Sequence, residues 1–410
     1  MAGFIDILRS GAWLTRERLR LVAFAVLAAS LLGAAFLIAT SNGLNDFNQP
    51  LGTDFSSFYA AGSLVHDGQP ATAFNPAAHL AREQAIFGAD TPYYSFSYPP
   101  FFLFIAATLA LLSYPLALAV WQAASFAFYL LSIRAIVGTQ PNRVWLLLAA
   151  AFPPVFINLG HGQNGFLIAA LFGMALAVLD HRPILAGTLL GLMAFKPQFG
   201  LMIPLVLLVT FRWRTIAAAA ATVASLVLAS VAVFGQASWQ AFFAAMPFAR
   251  TVALEQGNTG WFKIQSMFSW VRMWGSSVEV AYALQGALTM LVAVALVWLW
   301  RSAAPYPLKA AALAIGSLLA TPFILDYDLM LLAPAIAYLA ADGMTRGFAP
   351  WEKTILAALW FVPLIARTVP QATLIPLGVP VMVLAFAMLL RRAMNENVVP
   401  QAGGIFRRVP

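Results

Sequence analysis

The chain has no cysteine, and only 9% of its 410 residues are charged. The first absence excludes disulfides, zinc thiolate sites and a cysteine nucleophile. The second excludes an ordinary water-soluble fold, which carries about 25% charged residues and roughly 45–50% apolar ones. Hydrophobic residues make up 62% of the chain and mean hydropathy is +0.83, so the solvent for most of its surface must be lipid. Also missing are an internal repeat, a low-complexity tract and any polar linker long enough to separate soluble domains. Lys and Arg outnumber Asp and Glu by 23 to 15. The basic residues sit at the ends of apolar runs, a pattern that marks membrane topology rather than nucleic-acid binding.

Apolar runs fall at about 21–41, 99–113, 116–137, 144–159, 165–180, 183–195, 198–211, 215–234, 281–300, 308–321, 328–341, 353–367 and 371–390. Several are shorter than the ~20 residues a perpendicular helix needs, which tilted, broken or screened helices tolerate. The first run follows Arg9, Arg16, Arg18 and Arg20 and is too long for a signal-peptide core of about 7–15 residues, so it reads as an uncleaved span. Arg143, Arg182, Arg212, Arg214, Arg301, Lys309, Arg346, Lys353, Arg391 and Arg392 fall on one side only if the segment 42–143 crosses once. Prolines delimit the run 99–113, so it is expected to dip into the outer leaflet or lie along it, leaving 116–137 as the second span; the alternative is that 99–113 spans and a later segment does not. The expected fold is therefore an all-α polytopic membrane protein of about twelve spans. Residues 1–20 and 393–410 are cytoplasmic, 21–392 form one transmembrane domain, and outer loops cover about 42–98 and 235–280. The first loop has helical stretches near 55–66 and 76–87.

Ionisable residues near membrane depth are expensive, so the few present are functional candidates. Asp54, in Thr53-Asp54-Phe55-Ser56-Ser57, is either a helix N-cap or a carboxylate at the outer interface serving as general base. His161, Gln163 and Asn164 share a glycine-flanked outward turn that is either a bare polar turn or a binding surface. Lys196, followed by Gln198, lies in a hinge between two short apolar runs and either snorkels or meets a phosphate. Asp326, Tyr327 and Asp328 form another outward turn, either solvated or part of a site. The second loop adds Arg250 and Lys263. His66 and His79 read as surface residues, and no His, Asp or Glu spacing matches a metal motif.

The run Asp54 to Gly62, with Gly68, Phe74-Asn75-Pro76, Tyr98-Pro99-Pro100, Gly162-Gln163-Asn164, Gly187 to Gly191 and Lys196-Pro197, resembles glycosyltransferase family 87 over roughly 50–340. The family often has Tyr-Asp-Pro where this chain reads Phe74-Asn75-Pro76. The resemblance implies a GT-C fold and an inverting enzyme that takes a hexose, mannose-like in the best-known members, from a polyprenyl-phosphate donor. A lipid or glycan acceptor would receive it on the outer face of a bacterial-type plasma membrane. It also places the base on Asp54. Lys196, Arg250 and Lys263 are then candidate phosphate ligands. Tyr59, His161, Gln163, Asn164, Gln198, Asp326, Tyr327 and Asp328 are candidates for sugar or acceptor. No cofactor and no resident metal site is expected, and divalent-metal dependence is open. The rival reading is a transporter or flippase for a lipid-linked substrate. Against it, the chain lacks inverted repeats and its polar residues cluster on one side rather than at the midplane.

Overall fold

The computed structural model describes residues 2–40, 50–138 and 144–398. The beginning of the first loop at 42–49, Arg143 and the tail beyond 398 lie outside the described residues. Every element among those described is helical, and an antiparallel bridge joins Ile264 to Leu325.

The chain opens with α1 (Ala2–Ser10) and α2 (Arg16–Thr40). The first loop holds α3 (Phe55–His66) and α4 (Pro76–Phe87), and α5 (Leu103–Leu109) follows. Then come α6 (Tyr114–Val137), α7 (Val144–Ala150), α8 (Pro153–His161), α9 (Gly165–Val178), α10 (Pro183–Leu192), α11 (Met202–Val209) and α12 (Trp213–Ala249). The last third contains α13 (Met267–Met273), α14 (Val278–Arg301), α15 (Tyr306–Leu319), α16 (Leu332–Arg346), α17 (Glu352–Ile365), α18 (Thr368–Thr373) and α19 (Gly378–Val398).

Among the described residues, α6, α12, α14 and α19 are long and apolar enough to cross a membrane. The pair α7–α8, bent by 41°, makes a fifth candidate. The chain is thus a membrane protein. Only 6% of the most apolar window of α12 is buried, and Leu228 on α12 and Leu291 on α14 are each 69% exposed, as lipid-facing side chains are. The helix Pro100–Leu109 is too short to cross alone, as its bounding prolines predict. Helices α9, α10, α11 and α15 are also short, and α15 is buried along nearly its whole length. Neighbouring helices, rather than lipid, cover it. One apolar core runs from Phe55 to Ala393.

The second expected loop, 235–280, is more helical than its sequence suggests. Gly235 leaves helical geometry (φ 78, ψ 159) where the apolar run ends, but α12 resumes and continues to Ala249, with a π-turn over 250–255. The alanines and phenylalanines of 236–249 propagate the helix once the glycine has turned its axis. Beyond it, the backbone N–H of Gln265 donates to Ile324 at 2.8 Å, beside the Ile264–Leu325 bridge. The second loop is thereby stitched to the turn that carries Asp326.

In the first loop, Asn75 caps α4, its side chain accepting from the Ala78 N–H at 3.1 Å, with Pro76 at the first helical position. Asn caps as well as Asp, so the departure from Tyr-Asp-Pro leaves this turn intact. His79, expected at the surface, is fully buried on the inner face of α4, whereas His66 is exposed. The reason is helical spacing: His79 lies one turn before Glu83 on the same buried face, with its ring beside Tyr93 and Phe96.

Candidate active site

Asp54 occupies the N-cap position of α3 but does not cap it. Its backbone is helical (φ −66, ψ −21) and its side chain makes no bond to the helix N-terminus. Gln163 Nε2 instead donates to Asp54 Oδ2 at 2.8 Å. The orientation of that amide follows from its other end. Gln163 Oε1 accepts from the Tyr98 hydroxyl and from the Asn164 N–H, both at 3.2 Å, so the nitrogen must face Asp54. Burial, together with the charges of Asp54 and Asp328, pushes the Tyr98 phenol up, which keeps it a donor. Asn164 is fully buried with its amide beside that phenol.

The turn between α8 and α9 brings Gln163 to Asp54 because Gly162 is left-handed (φ 63, ψ 23), closing α8 as a C-cap. A side chain there would collide with Phe55, the residue after Asp54. The Gly162 carbonyl accepts from Trp121 Nε1 at 2.9 Å, fastening the turn to α6. His161, the last residue of α8, lies 2.7 Å through Nδ1 from Thr53 Oγ1 and 3.1 Å through Nε2 from Arg367. A guanidinium only donates, so Nε2 accepts, and the ring proton sits on Nδ1 and is donated to Thr53.

Arg367, at the start of α18, also donates through Nε to Asp326 Oδ2 at 2.6 Å. Asp326 and Asp328 are 1% and 2% exposed, which excludes the solvated-turn reading. Lys196 Nζ reaches Asp328 Oδ1 at 2.6 Å and lies 4.7 Å from the centre of the Tyr327 ring. With its side chain 5% exposed, Lys196 is a closed ion pair rather than a snorkelling cation. The structure therefore gathers Asp54, His161, Gln163, Asn164, Lys196, Asp326, Tyr327 and Asp328 into one connected polar cluster. Asn158 ties its parts together, bonding the carbonyl of Tyr327 at 3.0 Å and the N–H of Gly165 at 2.8 Å.

Other predicted residues stand apart. The Tyr59 hydroxyl donates to the Leu112 carbonyl at 2.9 Å and its ring packs on Tyr114. Arg250 pairs with Glu255 at 3.1 Å in the second loop. Lys263 lies 5.7 Å from the Phe262 ring centre, one residue before the bridge to Leu325. Gln198 is half-buried one turn beyond Lys196.

Arg367 was missed by the sequence reading. Its signal was an arginine at the end of the apolar run 353–367 that the sequence topology expected to face outward, where the charge rule puts none. Glu83 was missed as well. It is fully buried near Asp54, and its signal was the helical spacing to His79.

The family model for glycosyltransferase family 87 matches residues 96–322, more than half of the chain. The match includes the turn at 162–165 and Lys196 but not Asp54, Asp326 or Arg367. No curated protein and no solved structure matches the chain.

Proposed function

The chain belongs to glycosyltransferase family 87 and is a membrane glycosyltransferase; from that premise we propose that it transfers a hexose, mannose-like, from a polyprenyl-phosphate donor to a hydroxyl of a lipid or glycan acceptor. The reading includes a GT-C fold of about twelve crossings, with the short helices completing the count. Both termini are cytoplasmic, and the cluster opens on the outer face of a bacterial-type plasma membrane.

One observation carries the mechanism: Asp54 is partly open and makes no ion pair among the described residues, whereas Asp326 and Asp328 are buried against cations. Its carboxylate accepts the acceptor hydroxyl proton as the acceptor oxygen bonds to the anomeric carbon. The bond from that carbon to phosphate breaks on the opposite face, and its electron pair leaves with polyprenyl phosphate. One displacement inverts the anomeric centre. Gln163 holds the base in place through a neutral donor, which orients the carboxylate without the neutralising charge of a cation.

The departing phosphate needs a positive partner. Lys196 is neutralised at contact by Asp328. Arg367, 37% exposed and using two of its five N–H groups in the described bonds, offers the more open cation, with Lys263 on the adjoining segment. Donor tails would lie in lipid beside the helices, which accounts for the membrane setting of the catalyst.

Incubation of the purified protein with polyprenyl-phosphate hexoses and acceptor extracts tests the reading. Release of polyprenyl monophosphate with formation of a glycosylated acceptor is the expected result. Movement of the intact donor between leaflets without cleavage would establish the transporter instead.

A further inference from the structure

Helix α4 carries two titratable side chains that the proposed reaction does not use. His79 and Glu83 are both fully buried, and neither has a cation beside it among the described residues. Arg82, on the same helix, is turned to Asp67 instead. Glu83 Oε1 accepts from the Ser56 hydroxyl at 3.3 Å, and Oε2 accepts from the Tyr94 N–H at 3.1 Å. Ser56 comes two residues after Asp54, and Tyr94 four residues before Tyr98. A closed circuit results. It runs from Asp54 to Gln163, to Tyr98, back along the chain to Tyr94, to Glu83, to Ser56, and along the chain to Asp54.

The groups facing Glu83 are His79 on its own helix, Asp54 from α3, Tyr93 and Tyr94 from the segment after α4, and Tyr114 at the head of α6. The 3₁₀ turn Pro70–Phe74 contributes no titratable group. Burial pushes the Glu83 carboxyl up to about 8, and the Asp54 charge adds to it against the bonds from Tyr94 and Ser56. Burial pushes His79 down to about 4. At neutral pH both are uncharged. A protonated carboxyl keeps one accepting oxygen for Tyr94 and a hydroxyl that exchanges a bond with Ser56.

We propose that Glu83 is a positioning residue for Asp54. By tying Ser56 to the Tyr94 backbone, it fixes the helix start that carries Asp54 against the segment that carries Tyr98, and so keeps the Gln163 amide on the Asp54 carboxylate. The inference rests on the reading of Asp54 as the base. Ionisation of Glu83 puts a second negative charge beside Asp54 in a buried site, which strains the circuit open.

Glu83→Ala and Glu83→Gln in the full-length protein test this. Glu83→Ala breaks two bonds and is expected to lower kcat about tenfold or more while donor KM stays within about twofold. Glutamine reproduces the protonated acid, with an oxygen for Tyr94 and an amide donor for Ser56. Glu83→Gln should therefore recover most of kcat at pH 7 and abolish an alkaline decline centred near pH 8 in the parent. A wild-type kcat for Glu83→Ala, a Glu83→Gln as slow as Glu83→Ala, or an alkaline limb retained in Glu83→Gln would each overturn the proposal. Hydrogen exchange at residues 93–98, measured without substrate, supplies a readout separate from transfer. Faster exchange is expected in Glu83→Ala and not in Glu83→Gln, and unchanged exchange in Glu83→Ala would overturn the circuit. If the parent itself transfers nothing, the transferase reading fails while the exchange data still judge the circuit.

Discussion

Helix α16 joins two clusters of charge that use their carboxylates differently. At its C-terminal end, Asp342 receives Arg346 at 2.6 Å and Arg392 at 2.7 Å, while Glu352 receives Arg392 at 2.6 Å and the Ala349 N–H at 2.6 Å. Those bonds hold the ends of α16, α17 and α19 together. About 21 Å away, at 1.5 Å per residue over the fourteen residues from Asp328 to Asp342, lies the cluster around Asp54. There Lys196 and Arg367 serve one acid each, and Asp54 and Glu83 have no cation among the described residues. The carboxylates at the Asp342 end are committed to guanidinium contacts. Asp54 is held by the neutral Gln163 amide instead. The surplus of carboxylates over cations, rather than the count of polar residues, sets the Asp54 end apart.

The sharpest way to break this comparison is to neutralise one acid at each end. Asp54→Asn keeps size and hydrogen bonding but loses the basic oxygen, and turnover should fall about 10²–10⁴-fold. Asp342→Asn should lower stability, since Arg346 and Arg392 each lose a charged contact and Arg392 keeps its bond to Glu352, while the folded fraction turns over normally. Retained turnover in Asp54→Asn would move the base to Asp326 or Asp328 and erase the distinction between the ends.

Lys196 sharpens the contrast within the Asp54 cluster. Removing it in Lys196→Ala leaves Asp328 buried and unpaired, which should cost about 3–5 kcal/mol of stability in a thermal or denaturant melt. The double change Lys196→Met with Asp328→Leu should recover most of that loss, because neither charge remains stranded. Should Lys196→Ala instead melt normally and lose only donor binding, Lys196 is the phosphate ligand the sequence suggested.

Arg367 makes the smaller kinetic prediction. Arg367→Lys preserves a charge for Asp326 but loses the fork that also reaches His161. Donor KM should rise about tenfold, the worth of one charge-assisted hydrogen bond. A KM unchanged from the parent would return the phosphate to Lys196 or Lys263.

Much of this arrangement was legible in the sequence. Helical class, membrane setting and the turns at 160–165, 196 and 326–328 follow from apolar runs interrupted by glycine, proline and isolated charge. The pairing inside the cluster was not legible, because Asp54 to Gln163 and Lys196 to Asp328 are contacts across more than a hundred residues. Glu83 stayed hidden for a related reason. A Glu on a short, polar helix reads as solvent-facing until α3 is known to cover it. The helical continuation to Ala249 was obscured by Gly235, which marks a bend as readily as an end.

The last effect expected concerns pH and is confined to the first loop. Glu83 is raised from 4.5 to about 8, so its contribution to loop stability is complete below 4.5 and is lost as pH rises towards 8. His79 is lowered from 6.5 to about 4, so its contribution is complete above 6.5 and is lost as pH falls towards 4. Between 4.5 and 6.5 the two slopes oppose each other, and the loop should show a stability plateau there. Above the plateau the opening constant should grow by at most about tenfold per pH unit until Glu83 ionises in the folded loop. Hydrogen exchange of α3 and α4, corrected for intrinsic rates, measures this directly, with α17 amides from the same digest reporting whether the change is local. Glu83→Gln should flatten the alkaline arm and extend the acid arm up to 6.5, since only His79 then titrates. An alkaline arm that persists in Glu83→Gln, or that appears equally in α17, would show that the unpaired acids of the first loop are not what distinguishes the two ends of α16.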